Sequence, residues 1–257
     1  MKEKEISSGK KEREGRRGLI SAIVLAAGSG KRMGTKVQKQ FLDLGGYPVL
    51  YYSLRAFEES PVDEIVLVTG ERQIDFCRRE IVEKYGFQKV KEVTAGGAER
   101  YHSVFRGLNC LSDEASLVLI HDGARPFVDR GIIERTIADA EKYGACVAGM
   151  PSKDTVKIAD EGGFAATTPD RSLVWTVQTP QAFRRELICR AYKAMMESEA
   201  LQQGITDDAM VVERMTGEPI RLTEGSYENI KVTTPEDMAV AEAILKRNQD
   251  RNGEKTL

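Results

Sequence analysis

The chain has 257 residues, 41% hydrophobic and 30% charged, enough for one large α/β domain or two small ones with an ample core. A net charge of −2 excludes a global nucleic-acid footprint, so any anion must be met by a local cluster of cations. Four cysteines without metal or redox spacing, two histidines and no apolar run of spanning length point to a reduced, cytoplasmic protein with no His-rich metal site and no membrane partner.

Residues 1–17 are polar and of mixed charge, lack the apolar core of a secretion signal, and are expected to form a disordered tail. Next comes the apolar run Ser21-Ala22-Ile23-Val24-Leu25, which reads as a buried parallel strand. It ends abruptly in Ala26-Ala27-Gly28-Ser29-Gly30, then in Lys31-Arg32, with Lys36 and Lys39 beyond. Small residues let a backbone approach a ligand closely, and consecutive free N–H groups form a concavity for anions. The P-loop pattern fails, because Leu25 stands at its first glycine and Arg32 follows Gly30-Lys31. The dinucleotide fingerprint fails as well, since Gly34 falls one residue too late after Gly28 and Gly30. A strand, a glycine turn and four cations suit a polyphosphate, and a triphosphate better than a pyrophosphate held by a helix N-terminus alone.

Residues 41–44 read as a short extended piece closed by Gly45-Gly46, and Pro48 opens a helix with the stripe Val49, Leu50, Leu54 and Phe57. A strand over 64–69, an amphipathic helix over 71–85 capped by Gly86, and a strand over 90–94 follow. A helix over 99–111 leads to a strand over 117–120 that ends in His121-Asp122-Gly123-Ala124-Arg125-Pro126. A helix over 129–143 stops at Gly144, and a strand covers 145–150. This alternation implies a Rossmann-like α/β fold, a mixed, mostly parallel sheet with helices on both faces.

The rhythm breaks over 153–179, where 155–158 and 164–167 flank Asp160-Glu161-Gly162-Gly163 and read as a hairpin. So long a stretch without a helix is expected to be an inserted β-arm, functional or interfacial. Helices over 184–201 and 207–215, strands over 219–223 and 229–233, and a last helix opened by Thr234 and Pro235 complete the pattern. The expected organisation is one domain over 18–250 carrying the arm, with a short tail over 251–257.

Asp122 lies past the end of a central strand, where ligand crevices form in open α/β sheets. A carboxylate with phosphate oxygens and water is the usual way to hold magnesium; a helix-capping role is the alternative. His121 reads as structural. Gly96-Gly97 with Ser103 can present backbone groups to a base edge, or can be an ordinary tight turn. Arg125-Pro126 can brace the Asp122 loop. On the arm stand Thr155, Lys157 and Arg171, and an arginine can grip a phosphate bidentately, although a solvated charge is the blander reading. Thr206-Asp207-Asp208 has the form of a capped helix start. Lys231, in an apolar stretch, needs a partner or a ligand unless it snorkels. No Ser/His/Asp or Cys/His set is present. Cations, one key carboxylate and glycine loops suit phosphoryl or nucleotidyl transfer, in which positioning and charge neutralisation dominate.

These motifs resemble the 2-C-methyl-D-erythritol 4-phosphate cytidylyltransferases of the non-mevalonate isoprenoid pathway, over roughly residues 19–248. The matching stretches are Leu25 through Met33, Lys39-Gln40-Phe41, Gly96-Gly97-x-Glu99-Arg100-x-x-Ser103-Val104, and His121 through Pro126. Gln178-Thr179-Pro180-Gln181, Thr206-Asp207-Asp208 and Asn229-Ile230-Lys231-Val232-Thr233 complete the set. The resemblance implies a nucleotidyltransferase domain, in which Ala26, Ala27, Gly28 and Gly30 hold CTP through the backbone and Arg32 and Lys39 stabilise the transition state. It implies Gly97 and Ser103 beside the cytosine and ribose, Asp122 on magnesium, and Thr155, Arg171, Thr206 and Lys231 on the polyol phosphate. It also implies a homodimer through the β-arm, with Arg171 reaching the neighbour's site. Ala98 stands where some members carry an acidic residue, and Gly123 replaces the commoner alanine. The ribitol-5-phosphate cytidylyltransferases share two motifs, and a non-catalytic nucleotide-binding regulator on the same fold is a further alternative. Ala26-Ala27-Gly28, Thr206-Asp207-Asp208 and Asp170 through Trp175 favour the methylerythritol enzyme, and the retained Arg32, Lys39 and Asp122 favour catalysis.

Overall fold

Strand β1 (Leu19–Ala26) is the spine of the sheet. Its Ile20, Ala22, Val24 and Ala26 enter one hydrophobic core while Ile23 enters another, so the strand is apolar on both faces, as a central parallel strand must be. The computed structural model describes residues 18–28 and 37–254. The tail over 1–17 and the cationic stretch over 29–36, with the expected site residues Gly30 and Arg32, lie outside the described residues.

Strands β2 (Glu64–Thr69), β3 (Val90–Ala95), β4 (Ala115–Asp122), β5 (Ala145–Pro151), β6 (Trp175–Arg184) and β7 (Arg221–Glu224) join β1 in a seven-stranded sheet. Its order is β7-β5-β6-β4-β1-β2-β3, with β6 alone antiparallel to its neighbours β4 and β5. Helices α1 (Val49–Glu58), α2 (Arg100–Leu108), α3 (Arg130–Tyr143), α4 (Arg185–Met196), α5 (Asp208–Thr216) and α6 (Pro235–Glu254) surround it. Leu50, Leu54 and Phe57 of α1 and Ile132, Ile133 and Ile137 of α3 fill the core on one face. Val104 of α2, Tyr192 and Met195 of α4 and Val211 of α5 fill the core on the other. This is the expected mixed, mostly parallel sheet with helices on both faces. Among the described residues no helix is long and apolar enough to cross a membrane.

Local signals were accurate where they were strong. The Asp129 side chain accepts from Ile132 N at 2.8 Å and Gly144 closes α3 at φ 88°. In the arm, Asp160 Oδ1 accepts from the N–H groups of Gly162 and Phe164, both at 2.9 Å, and so folds the turn between Ile158–Ala159 and Ala165–Thr167. Cys77 and Cys146 are buried free thiols, while Cys110 and Cys189 are only half-buried.

Other expectations need correction. The helix expected over 71–85 starts as a 3₁₀ turn (Glu71–Gln73), has a short α segment (Ile74–Phe76) and widens into a π stretch (Cys77–Glu83). The strand ending at Asp122 is longer than expected, so Asp122 is its last residue and is fixed by the ladder. Strand β6 was not anticipated beyond its non-helical start, because Pro180 argues against a central strand. The sheet accommodates the proline at a register irregularity between Val177 and Gln181. Residues 229–233 form no strand: they cross the Asp122 loop, and Val232 N donates to Ala124 O at 2.8 Å. The helix expected over 184–201 breaks after Met196, and Ser198 caps a separate turn. Helix α6 continues to Glu254, into the stretch 251–257 read as a tail.

Phe57 is fully buried, with its ring centroid 5.2 Å from that of His121, so the core of α1 supports the floor of the Asp122 loop. Phe57→Ala is expected to destabilise the fold by about 3–5 kcal/mol in denaturant melts. A loss below about 1 kcal/mol would show that this ring does not anchor the face.

Candidate active site

Strand register brings the loops together. Leu25 pairs with Asp122 across β1 and β4, Ala26 with Thr69 across β1 and β2, and Thr69 with Ala95 across β2 and β3. The chain runs outward from β1 through β2 to β3, then returns to β4 on the other side, so β1 and β4 flank the switch point of the sheet. The two glycine loops meet there. A Cβ on Gly96 would lie 2.5 Å from Ala27 Cβ and 2.7 Å from Ser103 Oγ, so only glycine permits the approach. Ser103 Oγ accepts from Gly97 N at 3.0 Å and donates to Glu99 O at 3.3 Å. Gln40, buried next to Lys39, donates to Ala26 O at 2.5 Å and to Gly28 O at 3.3 Å, clasping the start of the first loop.

Asp122 is the electrostatic centre. Its Oδ2 lies 2.8 Å from Lys231 Nζ and 3.8 Å from Arg125 Nε, and its Oδ1 lies 3.3 Å from Arg100 Nε. Burial alone would raise this carboxyl, but the charges of Arg100, Lys231 and Arg125 outweigh it and hold Asp122 well below the usual carboxylate range. Arg100 also forms a bidentate pair with Asp208, Nη1–Oδ1 and Nη2–Oδ2 both at 2.8 Å. The Tyr192 hydroxyl donates to Asp208 Oδ1 at 2.6 Å. Gln181, in β6, accepts from Asp208 N and Ala209 N at 3.1 and 2.9 Å and donates to Asp207 Oδ2 at 2.9 Å.

A second, neutral layer fixes the backbone. Thr179 Oγ1 accepts from Asp122 N at 3.0 Å and lies 3.0 Å from His121 Nδ1, while His121 Nε2 lies 3.3 Å from Arg125 O. Arg125 Nη1 donates to Asn229 O at 2.8 Å, so this arginine does brace the loop, and Asn229 Nδ2 donates to Thr179 O at 2.9 Å. Lys231 is thereby held over the carboxylate from a segment far along the chain.

The family model for 2-C-methyl-D-erythritol 4-phosphate cytidylyltransferase matches residues 20–247. A protein of that name from Lachnoclostridium phytofermentans is 49% identical over 231 residues, covering 90% of this chain and 98% of the relative. One from Clostridium acetobutylicum is 49% identical over 230 residues, covering 88% and 97%. The chain belongs to the 2-C-methyl-D-erythritol 4-phosphate cytidylyltransferase family. Solved structures agree. The 4-diphosphocytidyl-2C-methyl-D-erythritol synthase of Anaerococcus prevotii superposes with a TM-score of 0.79 at 38% identity, covering 89% of this chain and 96% of that one. The cytidylyltransferase of Thermus thermophilus gives 0.69 at 31% identity, covering 89% and 99%.

Of the residues singled out by resemblance to this cytidylyltransferase family, Ala26, Ala27, Gly28, Gly97, Ser103, Asp122 and Lys231 lie along one edge of the sheet. Lys39 follows in a 3₁₀ turn (Lys39–Phe41), half-buried beside Gln40. Thr206 is exposed at the turn before α5, its Oγ1 3.8 Å from Met210 Sδ. Thr155 and Arg171 are exposed on the arm; Arg171 Nη1 donates to Lys153 O at 3.4 Å, and neither residue touches Asp122 or Lys231 within the chain. Sequence reasoning gives no individual role to Arg100, Asp208 or Gln40, although all three lie in the matching stretches, nor to Tyr192. One clue was available: of two successive acids at a helix start only one can cap it, and here Asp207 does, accepting from Met210 N at 2.9 Å.

No group of three His, Cys, Asp or Glu side chains capable of holding a metal occurs among the described residues. Magnesium keeps several waters and is commonly bound through one or two carboxylates together with substrate phosphates, and a permanently ionised Asp122 fits that donor set.

Burial pushes the His121 imidazole down to about 3, against the pull of Asp122. The unfolded chain takes up this proton near pH 6.5 and the folded chain does not, so between pH 6.5 and about 3 the fold loses stability as pH falls. This group is expected to contribute a slope of up to about 1.4 kcal/mol per pH unit. His121→Gln should flatten the profile of unfolding free energy between pH 6 and 4. An unchanged slope would mean that His121 is protonated in the folded protein.

Proposed function

We infer that this protein joins CTP and 2-C-methyl-D-erythritol 4-phosphate to give 4-diphosphocytidyl-2-C-methyl-D-erythritol and pyrophosphate, acting in the cytoplasm. The observation that carries the reading is the set of cations converging on an ionised carboxylate at the switch point, beside two abutting glycine loops. The phosphate oxygen of the polyol attacks the α-phosphorus in line and pyrophosphate leaves from the opposite side. No covalent intermediate forms. Ala26, Ala27, Gly28 and Gly30 receive the triphosphate through backbone N–H groups, and Gly97 and Ser103 border the base and ribose. Lys231 has a single head with three donors, so it can hold Asp122 with one and a substrate phosphate with another. Thr206 stands at the same end of the sheet for the polyol phosphate.

Asp122 would hold magnesium jointly with the phosphates, and the ion would neutralise charge on the triphosphate. Arg32 and Lys39 meet the charge that develops on the α-phosphoryl and leaving groups. The relatives reported above carry the methylerythritol name, which disfavours the ribitol phosphate alternative. Assay with both polyol phosphates tests this directly: better turnover of ribitol 5-phosphate would overturn the substrate assignment.

Removing one preorganised cation is expected to cost about 3–4 kcal/mol in the transition state, roughly a hundredfold or more in turnover. Lys39→Ala should therefore lower kcat far more than it weakens CTP binding. If only KM rises, Lys39 is a binding residue.

The arm exposes Ile158, Phe164 and Leu173, at 52, 76 and 78% of their surface, a poor arrangement for an isolated hairpin. Trp175 lies half-buried in β6 opposite Pro151. Pairing two arms about a twofold axis would cover the three exposed side chains and bring Thr155 and Arg171 to the neighbour's substrate phosphate. Co-expressed Asp122→Ala and Arg171→Ala chains would then form mixed dimers with one site intact, and about a quarter of wild-type activity should return. No recovery in dimers shown to be mixed would place Arg171 outside the neighbour's site.

A further inference from the structure

A guanidinium and a carboxylate pair best through two parallel N–H···O bonds. Arg100 has two carboxylates within reach and gives that geometry to Asp208, with both bonds at 2.8 Å. Asp122 receives only the Nε edge, at 3.3 Å. The shorter contact with Asp122, at 2.8 Å, belongs to Lys231.

We propose that Asp208 is a positioning residue that keeps Arg100 from closing on Asp122, leaving that carboxylate available to Lys231 and to the nucleotide-bound cation. The inference rests on the reading of Asp122 as the metal-holding group. Asp208 is well suited to this restraint. Its side chain is fully buried, its Oδ1 accepts from Tyr192, and its backbone N–H and that of Ala209 are tied to Gln181 in β6. It cannot follow Arg100 toward the crevice. Arg100 is the freer partner, with 29% of its side chain exposed, and its Nε already touches Asp122. Once it is released from Asp208, its nearest counter-charge is Asp122, whose Oδ1 is already 3.3 Å from the guanidinium Nε.

Charge makes the restraint necessary. Two carboxylates, Asp122 and Asp208, face three cations, Arg100, Arg125 and Lys231. With Asp208 neutralised, the three cations have Asp122 as their only counter-charge among these groups. Arg125 is tied back by Nη1 to Asn229 O, so Arg100 is the arginine able to move. A bidentate Arg100–Asp122 pair would displace Lys231 and occupy the oxygens that a cation needs.

Asp208→Asn keeps the shape and removes the charge. It is expected to raise the magnesium concentration for half-maximal activity by roughly 10–100-fold, the range seen when partners of metal ligands are changed. Calorimetric CTP affinity should fall by a similar factor with magnesium and change by less than about threefold in EDTA. The double variant Arg100→Gln/Asp208→Asn removes the capturing group, so both readouts should recover at least about threefold relative to Asp208→Asn. A merely structural pair would leave the double variant no better than the single one, and that result would overturn the proposal. An unmoved magnesium titration in Asp208→Asn would overturn it as well. If Asp208→Asn does not fold, Tyr192→Phe removes the 2.6 Å bond and should shift the magnesium titration in the same direction, rescued again by Arg100→Gln; no shift would refute the restraint. Asp122→Asn separates the two readings. If it leaves the titration unchanged, the metal reading and this inference fall together; if it shifts the titration and Asp208→Asn does not, only the inference falls.

Discussion

Asp122 carries a full negative charge in a place where burial alone would neutralise it. Keeping it ionised requires cations at contact distance, and each arrives from a different part of the chain. Arg100 comes from the start of α2, Arg125 from the loop after β4 and Lys231 from the segment before α6. Three distant elements must therefore be correctly placed before the carboxylate is stable, and much of the sheet's upper edge serves that placement. Removing one partner of a buried ion cluster leaves an uncompensated charge, typically at a cost of about 3–5 kcal/mol.

The antiparallel strand β6 is part of the same arrangement. It returns from the arm between β4 and β5, and its irregular stretch lets Thr179 reach the Asp122 backbone while Gln181 reaches the start of α5. The arm, the Asp122 loop and helix α5 are thus joined through one strand. A rigid neutral layer of Thr179, His121 and Asn229 lies behind the charges, so the electrostatics at the surface rest on groups that do not titrate near neutrality.

This arrangement suits a reaction in which negative charge accumulates on phosphoryl oxygens. The chain as a whole carries a net charge of −2, yet its switch point gathers cations. Preorganised donors of this kind need no rearrangement as charge develops, which is the largest single contribution available to a transfer that proceeds without a covalent intermediate. The arginines are locked by buried partners, whereas Lys231 has donors to spare.

Much of the fold was legible because it follows local rules. The β1 run, the Gly144 stop and the Asp160 turn each depend on neighbours within a few residues, and each was read correctly. The family was legible because its motifs lie in order along the chain. The position of Asp122 at a strand end was also visible, and so was the need of Lys231 for a partner. Which partner could not be read, because Lys231 and Asp122 meet only through the crossing of 229–233 over the β4 loop. That Arg100 and Asp208, 108 residues apart, form a pair was invisible for the same reason. Strand β6 is hard to read because Pro180 opposes a central strand locally; the structure places it in the irregular stretch between the paired runs 175–177 and 181–184. The sequence alone determined the elements, their order and the chemical inventory of the site. Tertiary structure decided which charges share which carboxylate, because ion pairing in a buried crevice depends on distances of a few ångströms between segments that the sequence places far apart.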